Sequence, residues 1–240
     1  MKNQQIIGFM AGLLLFAVST GICADVGFKS DNEFGEWLTF YYQNPSPERI
    51  PVALEYFSDS TLYKTNTAMP IAAFFSALFK KDVGLMQKVY DEISLNGSEN
   101  SKIMLINILS LTNNVESKGL LEKSERAWQS KRLQGIIAQM SRPHYDLYSI
   151  PVDSPQVLDM LWASFSATGE VLPVQRIISV LHLQKEGHGE EILTGGAASW
   201  SLEANAHEHP MVLEICKNEV TKAQGITKAM LESIIQNSAK

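Results

Sequence analysis

The sequence predicts an all-α protein, built as a stack of helical hairpins of the α-solenoid kind or as an irregular helical array, without disulfide bonds. Apolar residues recur at i, i+3, i+4 and i+7, the spacing that places them on one face of a helix, in seven segments. Residues that start or stop helices stand between several of these segments. No run of alternating apolar and polar residues bounded by hairpin turns occurs, so nothing indicates a sheet.

Four of the periodic segments precede residue 100. Ser46 followed by Pro47 predicts the start of the second helix, Asp82 predicts the start of the fourth, and Asn96 with Gly97 predicts its end. The segments are Phe34, Trp37, Leu38 and Tyr41; Ile50, Ala53, Leu54 and Phe57; Ile71, Phe74, Phe75 and Leu78; and Met86, Val89, Tyr90 and Ile93.

Residues 103–111 read IMLINILSL and are apolar nearly all round, which predicts a helix buried on several sides. Ser154 followed by Pro155 predicts another helix start. Ile226, Met230 and Ile234 predict a final amphipathic helix. The three periodic segments of the second half are Leu133, Ile136, Ile137 and Met140; Leu158, Leu161, Trp162 and Phe165; and Val174, Ile177, Ile178 and Leu181.

Two segments lack the helical period. Residues 141–155 contain three prolines and predict a connector between an N-terminal helical block at 25–140 and a C-terminal block at 156–240. Residues 184–196 are polar and rich in glycine, which predicts a loop.

The two blocks resemble each other at an offset of 87 or 88 residues, where 74–93 aligns with the stretch that begins at Leu161. This likeness reflects either a diverged repeat or chance, because amphipathic helices align with one another easily.

The first 24 residues predict a signal peptide, with Lys2 near the start, an apolar stretch at 6–18 and small residues at 19–24. Its apolar stretch is shorter than the roughly 20 residues that cross a bilayer. We therefore expect cleavage after Ala24 and export to a periplasm or to the outside of the cell. The alternatives tether the chain to a membrane, through an uncleaved segment or a lipidated Cys23. Ile22 departs from the small residue that usually precedes a lipidated cysteine.

Charge and cysteine content narrow the function classes. The chain has a formal net charge of −6, and loss of Lys2 with the signal peptide leaves 26 acidic against 19 basic residues, or −7. This balance disfavours nucleic acid and acidic lipid as partners. Cys216 is the one cysteine beyond the signal peptide, so we expect no internal disulfide. No other segment is apolar for long enough to span a membrane.

Histidines offer the main candidate chemistry, because four of the five lie between His182 and His209. A zinc protease helix needs His-Glu-x-x-His, whereas His207 and His209 are two residues apart and would point in opposite directions on a helix. In an extended segment the pair could still bind a metal with His182, His188, Glu190 or Glu191 as further ligands. The competing interpretation ends a helix near His207 and starts the next at Pro210.

Other catalytic patterns are missing. There is no Gly-x-Ser-x-Gly elbow, no Gly-rich phosphate loop, and no calcium or zinc-finger spacing, so no cofactor is predicted. The serines beside small residues, in GGAASW and FSATG, are expected where helices start or stop. Cys216 lies on an apolar helix face and is expected to be a buried, inert thiol. The aromatic group Trp37, Phe40, Tyr41 and Tyr42 predicts either core packing, which we favour, or a surface for a partner.

These observations favour an exported, non-enzymatic helical protein that binds a protein or peptide in a groove between stacked hairpins. The alternative is a hydrolase or metal-dependent enzyme that uses the His182 to His209 region. No nucleic acid and no membrane span after signal cleavage are expected. The sequence names neither the partner nor a catalytic residue.

Overall fold

The computed structural model describes residues 27–64, 66–140 and 146–238, and it is 78% helical. These residues form a packed array of helices without any strand, which confirms the all-α prediction. The predicted signal peptide at 1–24 and the first part of the predicted connector, 141–145, lie outside the described residues. None of the described helices combines the length and apolarity needed to cross a membrane.

The helices follow one another with short connections. The first seven are α1 (Asp31–Thr39), α2 (Ile50–Asp59), α3 (Ala68–Lys81), α4 (Val83–Asn96), α5 (Glu99–Thr112), α6 (Val115–Ala127) and α7 (Lys131–Met140). The remaining ones are α8 (Pro155–Thr168), α9 (Val171–Ile178), α10 (Leu183–Glu186), α11 (Glu190–Glu208), α12 (Pro210–Val220) and α13 (Gly225–Ser238). Two short 3-10 helices flank α2, at Pro47–Arg49 and Thr61–Lys64.

The chain divides into two compact units, and α8 contributes residues to both. Of the described residues, the first unit contains those from 27 to 151 and Met160–Glu170. The second contains Val152–Asp159 and those from 171 to 238. The diverged repeat inferred from the sequence stays a prediction.

Helix α5 is the centre of the first unit. It contacts α2, α3, α4, α6 and α7. Because these neighbours surround it, nearly every side chain from Ile103 to Ser110 is buried. The prediction that residues 103–111 form a helix buried on several sides is therefore confirmed.

The predicted helix boundaries hold at α4 and differ at α2. The Asp82 carboxylate accepts a hydrogen bond of 2.8 Å from the backbone N–H of Leu85, and α4 ends at Asn96 before Gly97, as predicted. Ser46 does precede a helical turn, but that turn is the 3-10 helix, and α2 begins three residues later. The Ser46 hydroxyl makes no capping bond; it accepts instead a hydrogen bond of 2.7 Å from Trp37 Nε1.

The second unit is organised around α11, which contacts α9, α10, α12 and α13. The prediction of a loop at 184–196 was wrong, because α10 extends to Glu186 and α11 begins at Glu190. Gly195 explains the error. A Cβ atom there would collide with the backbone nitrogen of Gln184, so this glycine permits a close approach of α10 and α11 and does not loosen the chain.

Candidate functional site

The histidine pair lies at the junction of two helices. Helix α11 ends at Glu208, His209 has extended backbone angles, and Pro210 is the first residue of α12. This geometry agrees with the interpretation that a helix ends near His207 and a new one starts at Pro210. The two side chains have different environments, because His207 is exposed in the last turn of α11 whereas His209 is fully buried.

The other candidate ligands do not join the pair. His182 is half-buried before α10, and His188 is exposed between α10 and α11. Glu190 and Glu191 are exposed in the first turn of α11, and a Glu191 carboxylate oxygen accepts a hydrogen bond of 2.9 Å from the His188 backbone N–H. Throughout the described ranges, no three His, Cys, Asp or Glu side chains are close enough to one another to hold a metal ion.

Desolvation strongly shifts the pKa values of His209 and Cys216, which are buried, and of Asp159, which is half-buried. Burial lowers the pKa of His209 to about 4, raises that of Asp159 to about 6, and raises that of Cys216 to about 12. Desolvation disfavours the charged form in each case, and no charged neighbour contributes to any of the three shifts. A catalytic group usually combines burial with a specific charged partner. Cys216 is buried with a protonated thiol, as predicted.

A small cleft in the first unit groups polar side chains that the sequence analysis did not single out. The Tyr148 and Ser164 hydroxyls lie 2.6 Å apart, and Lys80 Nζ lies 2.6 Å from a carboxylate oxygen of Asp146. The lysine ammonium is also 5.5 Å from the centre of the Tyr148 ring. The cleft is lined by Ala73, Ser76, Ala77, Lys80, Leu111, Leu147, Tyr148 and Ser164.

The geometry of this cleft suits a structural role. Ser164 is fully buried, so its hydroxyl has no access for a substrate. Burial raises the pKa of Tyr148, which keeps the phenol protonated and makes it a poor base. Lys80 lies over the face of the ring, where it stabilises the tyrosine by a cation–π contact. These contacts fasten the segment that begins at Asp146 to α3 and α8.

The aromatic group near α1 belongs mainly to the core of the first unit. Tyr41 is buried, and Trp37 packs against the rings of Tyr41 and Phe74 with centroid distances of 5.1 and 5.6 Å. The Tyr42 ring lies 5.0 Å from that of Phe165. The core interpretation, which the sequence favoured, is therefore confirmed for Tyr41, whereas Trp37 and Tyr42 are half-buried and pack one side of their rings against the core.

Helix α11 is apolar on two opposite sides. One side faces its neighbours in the second unit and comprises Thr194, Gly195, Ala198, Leu202, Asn205 and Ala206, all of which are buried. A helix advances about 100° per residue, so a second set lies diametrically opposite. We call this second set the outer face of α11; it comprises Leu193, Gly196, Ala197, Trp200 and Ala204, with the exposed His207 at its C-terminal end.

The outer face is open to solvent at its large residues. Leu193 is 63% exposed and Trp200 is 53% exposed, and the adjacent Ile192 is 45% exposed. Gly196 and Ala197, the small residues between the two large ones, are half-buried. The result is a contiguous apolar strip along the helix, and such a strip on a protein surface is typical of an interaction site.

Carboxylates border the outer face. Three exposed glutamates, Glu190, Glu203 and Glu208, flank it, and α11 contains no lysine or arginine. The helical rotation places Glu190 and Glu208 on one side of the strip and Glu203 on the other. Glu203 also accepts a hydrogen bond of 2.9 Å from the Asn237 side chain. The strip is thus an apolar surface with an acidic border.

The sequence patterns did not predict this surface, because residues 184–196 are typical of a loop and the serine of GGAASW, Ser199, is typical of a helix end. Ser199 instead lies in the middle of α11. A signal was present: Leu193, Ala197, Trp200 and Ala204 are spaced by four, three and four residues, which is a helical stripe. The pair of glycines obscured it.

Comparisons with known proteins add no family to this description. No protein family, no curated protein and no solved structure matches the chain.

Proposed function

We propose that this protein is a non-enzymatic helical binding protein that holds a protein or peptide partner on the outer face of α11. The observation that supports the proposal is the exposure of Leu193 and Trp200 on a strip whose middle consists of small residues. Exposure of large apolar side chains to water is unfavourable, and the free energy decreases when a partner covers them. Trp is also among the residues that contribute most to binding at protein interfaces.

A comparison with α5 strengthens this proposal. A helix that is apolar on more than one side normally lies in the centre of its domain. Helix α5 follows this rule, since five neighbouring helices surround it. Helix α11 is also apolar on two sides, yet Leu193 and Trp200 are exposed in the described part of the chain. A partner that packs on the outer face would give α11 the environment that α5 already has.

We also propose that the protein acts in the cell envelope or outside the cell. This part of the proposal rests on residues 1–24, whose charged start, apolar stretch and small residues are typical of a secretory signal. A lipid on Cys23 or an uncleaved segment would keep the same activity at a membrane surface. The described residues do not reach this part of the chain.

Site-specific photo-crosslinking in the native host tests the binding function. A photoreactive phenylalanine analogue replaces Trp200 in one variant and Leu95, which is 81% exposed on α4, in a control variant. We expect a discrete adduct from position 200, absent from position 95 and lost when Leu193→Ser is added. Adducts that are equal at the two positions, or that survive Leu193→Ser, would contradict the proposal.

A further inference from the structure

We infer that the partner segment held by the outer face of α11 is a basic amphipathic α-helix of another protein. The inference rests on the proposed binding function and names the chemistry of the partner. Two independent features of the surface lead to it: the spacing of its apolar residues and the sign of the charges at its border.

The spacing favours a helical partner. Leu193, Ala197, Trp200 and Ala204 repeat at intervals of four, three and four residues, which is the pattern of a seam between two packed helices. Gly196 and Ala197 form a shallow saddle between the two large side chains. Small residues at such a point allow a second helix axis to approach to about 8 Å. An extended peptide would find no open backbone edge on a helix, so it would lack the hydrogen bonds of strand addition.

The charges at the border favour a basic partner and disfavour a second copy of this chain. Three exposed glutamates of α11 flank the strip, the helix has no lysine or arginine, and its one basic side chain is His207 in the last turn. Two copies packed antiparallel through their outer faces would bring Glu190 of one close to Glu208 of the other, and a parallel pair would place each glutamate beside its equivalent. Like charges so placed are repulsive and select against self-association. A helix flanked by lysines or arginines would instead form ion pairs along both sides of the strip.

Binding of two synthetic peptides to the full chain tests the inference. The first is an 18-residue peptide with leucines on one helical face and lysines elsewhere, and the second has glutamate in place of every lysine. We expect the lysine peptide to bind at least about tenfold more tightly than the glutamate peptide in fluorescence anisotropy. Leu193→Ser combined with Trp200→Ser should weaken lysine-peptide binding by about tenfold or more.

Two further variants provide the matched controls. Leu95→Ser with Val115→Ser removes two apolar side chains that are each more than 80% exposed elsewhere in the chain, and it should leave binding unchanged. All four apolar positions are solvent-accessible, so far-ultraviolet circular dichroism should show an intact fold in every variant.

A charge pair completes the test. Glu190→Gln with Glu208→Gln should weaken lysine-peptide binding severalfold and reduce its dependence on salt concentration. Glu122→Gln with Glu125→Gln, two exposed positions on α6, should change neither.

Several results would overturn the inference. Equal affinity for the two peptides would contradict a basic helix as the partner. So would an affinity for the lysine peptide that the Leu193 and Trp200 substitutions leave unchanged. A dimer in sedimentation that disappears in Trp200→Ser would assign the face to a second copy, and adsorption to phosphatidylcholine vesicles through Trp200 would assign it to a membrane. If neither peptide binds while the crosslink from position 200 persists, this inference fails and the proposed binding function stands.

Discussion

His209 is a neutral imidazole enclosed at the junction of α11 and α12. Its backbone N–H donates to the carbonyl of Asn205 at 2.8 Å, and its carbonyl accepts from the N–H of Val212 at 2.9 Å, so one residue ends a helix and begins the next. The side chain is consequently carried into the interior, where burial lowers its pKa to about 4. The consequence is a stability that depends on pH.

The pH dependence has a definite sign. In the unfolded chain His209 has its ordinary pKa of 6.5, against about 4 in the folded protein. As the pH falls below 6.5, the unfolded state takes up a proton that the folded state does not. The free energy of unfolding therefore decreases until the pH reaches about 4. Between pH 7 and 4.5 this loss is roughly 2–3 kcal/mol.

A neutral replacement isolates this contribution. We expect the free energy of unfolding of His209→Gln to fall less between pH 7 and 4.5 than that of the wild type, when both are measured by urea denaturation. His207→Gln, at the exposed neighbour, should follow the wild type. A wild-type curve parallel to that of His209→Gln would show that the imidazole is accessible to protons in the folded state.

Trp162 and Trp200 form a matched pair, since the first is 4% exposed and the second 53% exposed. Trp162 packs edge-on against Phe165 with a centroid distance of 6.0 Å. Trp162→Ala should therefore cost roughly 3–5 kcal/mol of stability, because it leaves a cavity. Trp200→Ala should change stability by about 0.5 kcal/mol or less, as at most surface positions. Thermal and chemical denaturation measure both values, and equal costs would contradict the assignment of Trp200 to an open surface.

Helix α11 contains two adjacent glycines, Gly195 and Gly196, that have different structural roles. Gly195 faces inward, where the α10 backbone leaves no space for a side chain. Gly196 belongs to the outer face, and a Cβ added there would meet no atom within 4 Å. The pair has the same composition and opposite structural roles, so a count of glycines is a poor guide to this segment.

Alanine substitutions separate these roles. Gly195→Ala should destabilise the protein by roughly 1–3 kcal/mol, because α10 and α11 must move apart. Gly196→Ala should stabilise it by up to about 1 kcal/mol, because alanine has the higher helix propensity. Urea denaturation of the two variants provides the measurement. Stabilisation by Gly195→Ala would show that α10 does not pack closely on α11.

The whole molecule has a helical array in which other helices surround one apolar helix, α5, whereas another, α11, has one apolar face exposed.

We expect the natural protein to reach its partner after export. Intact-mass analysis of protein from the native host should give a chain that begins at Asp25, because the small residues before it suit signal cleavage. A chain that retains residues 1–24 would contradict export by cleavage, and a diacylated Cys23 at the amino terminus would establish the lipoprotein alternative.

Local sequence patterns were sufficient for the helices themselves. The 3.6-residue period depends only on neighbours along the chain, and so do the N-cap Asp82 and the helix-starting Pro210. The all-α class, the buried α5 and the helix junction at His209 could therefore be predicted. The burial of Trp162 followed from the same period. These properties depend on residues that are close together in the sequence.

The tertiary structure alone decided which apolar surfaces are covered. Whether Gly195 breaks a helix or lets another pack against it depends on Gln184 in α10, and the enclosure of His209 likewise depends on the packed fold. Both faces of α11 are apolar in sequence, yet only one is covered, because burial depends on which distant helices pack there. A periodic pattern determines that a helix has a face, whereas only the packed neighbours determine whether that face is core or a surface for a partner.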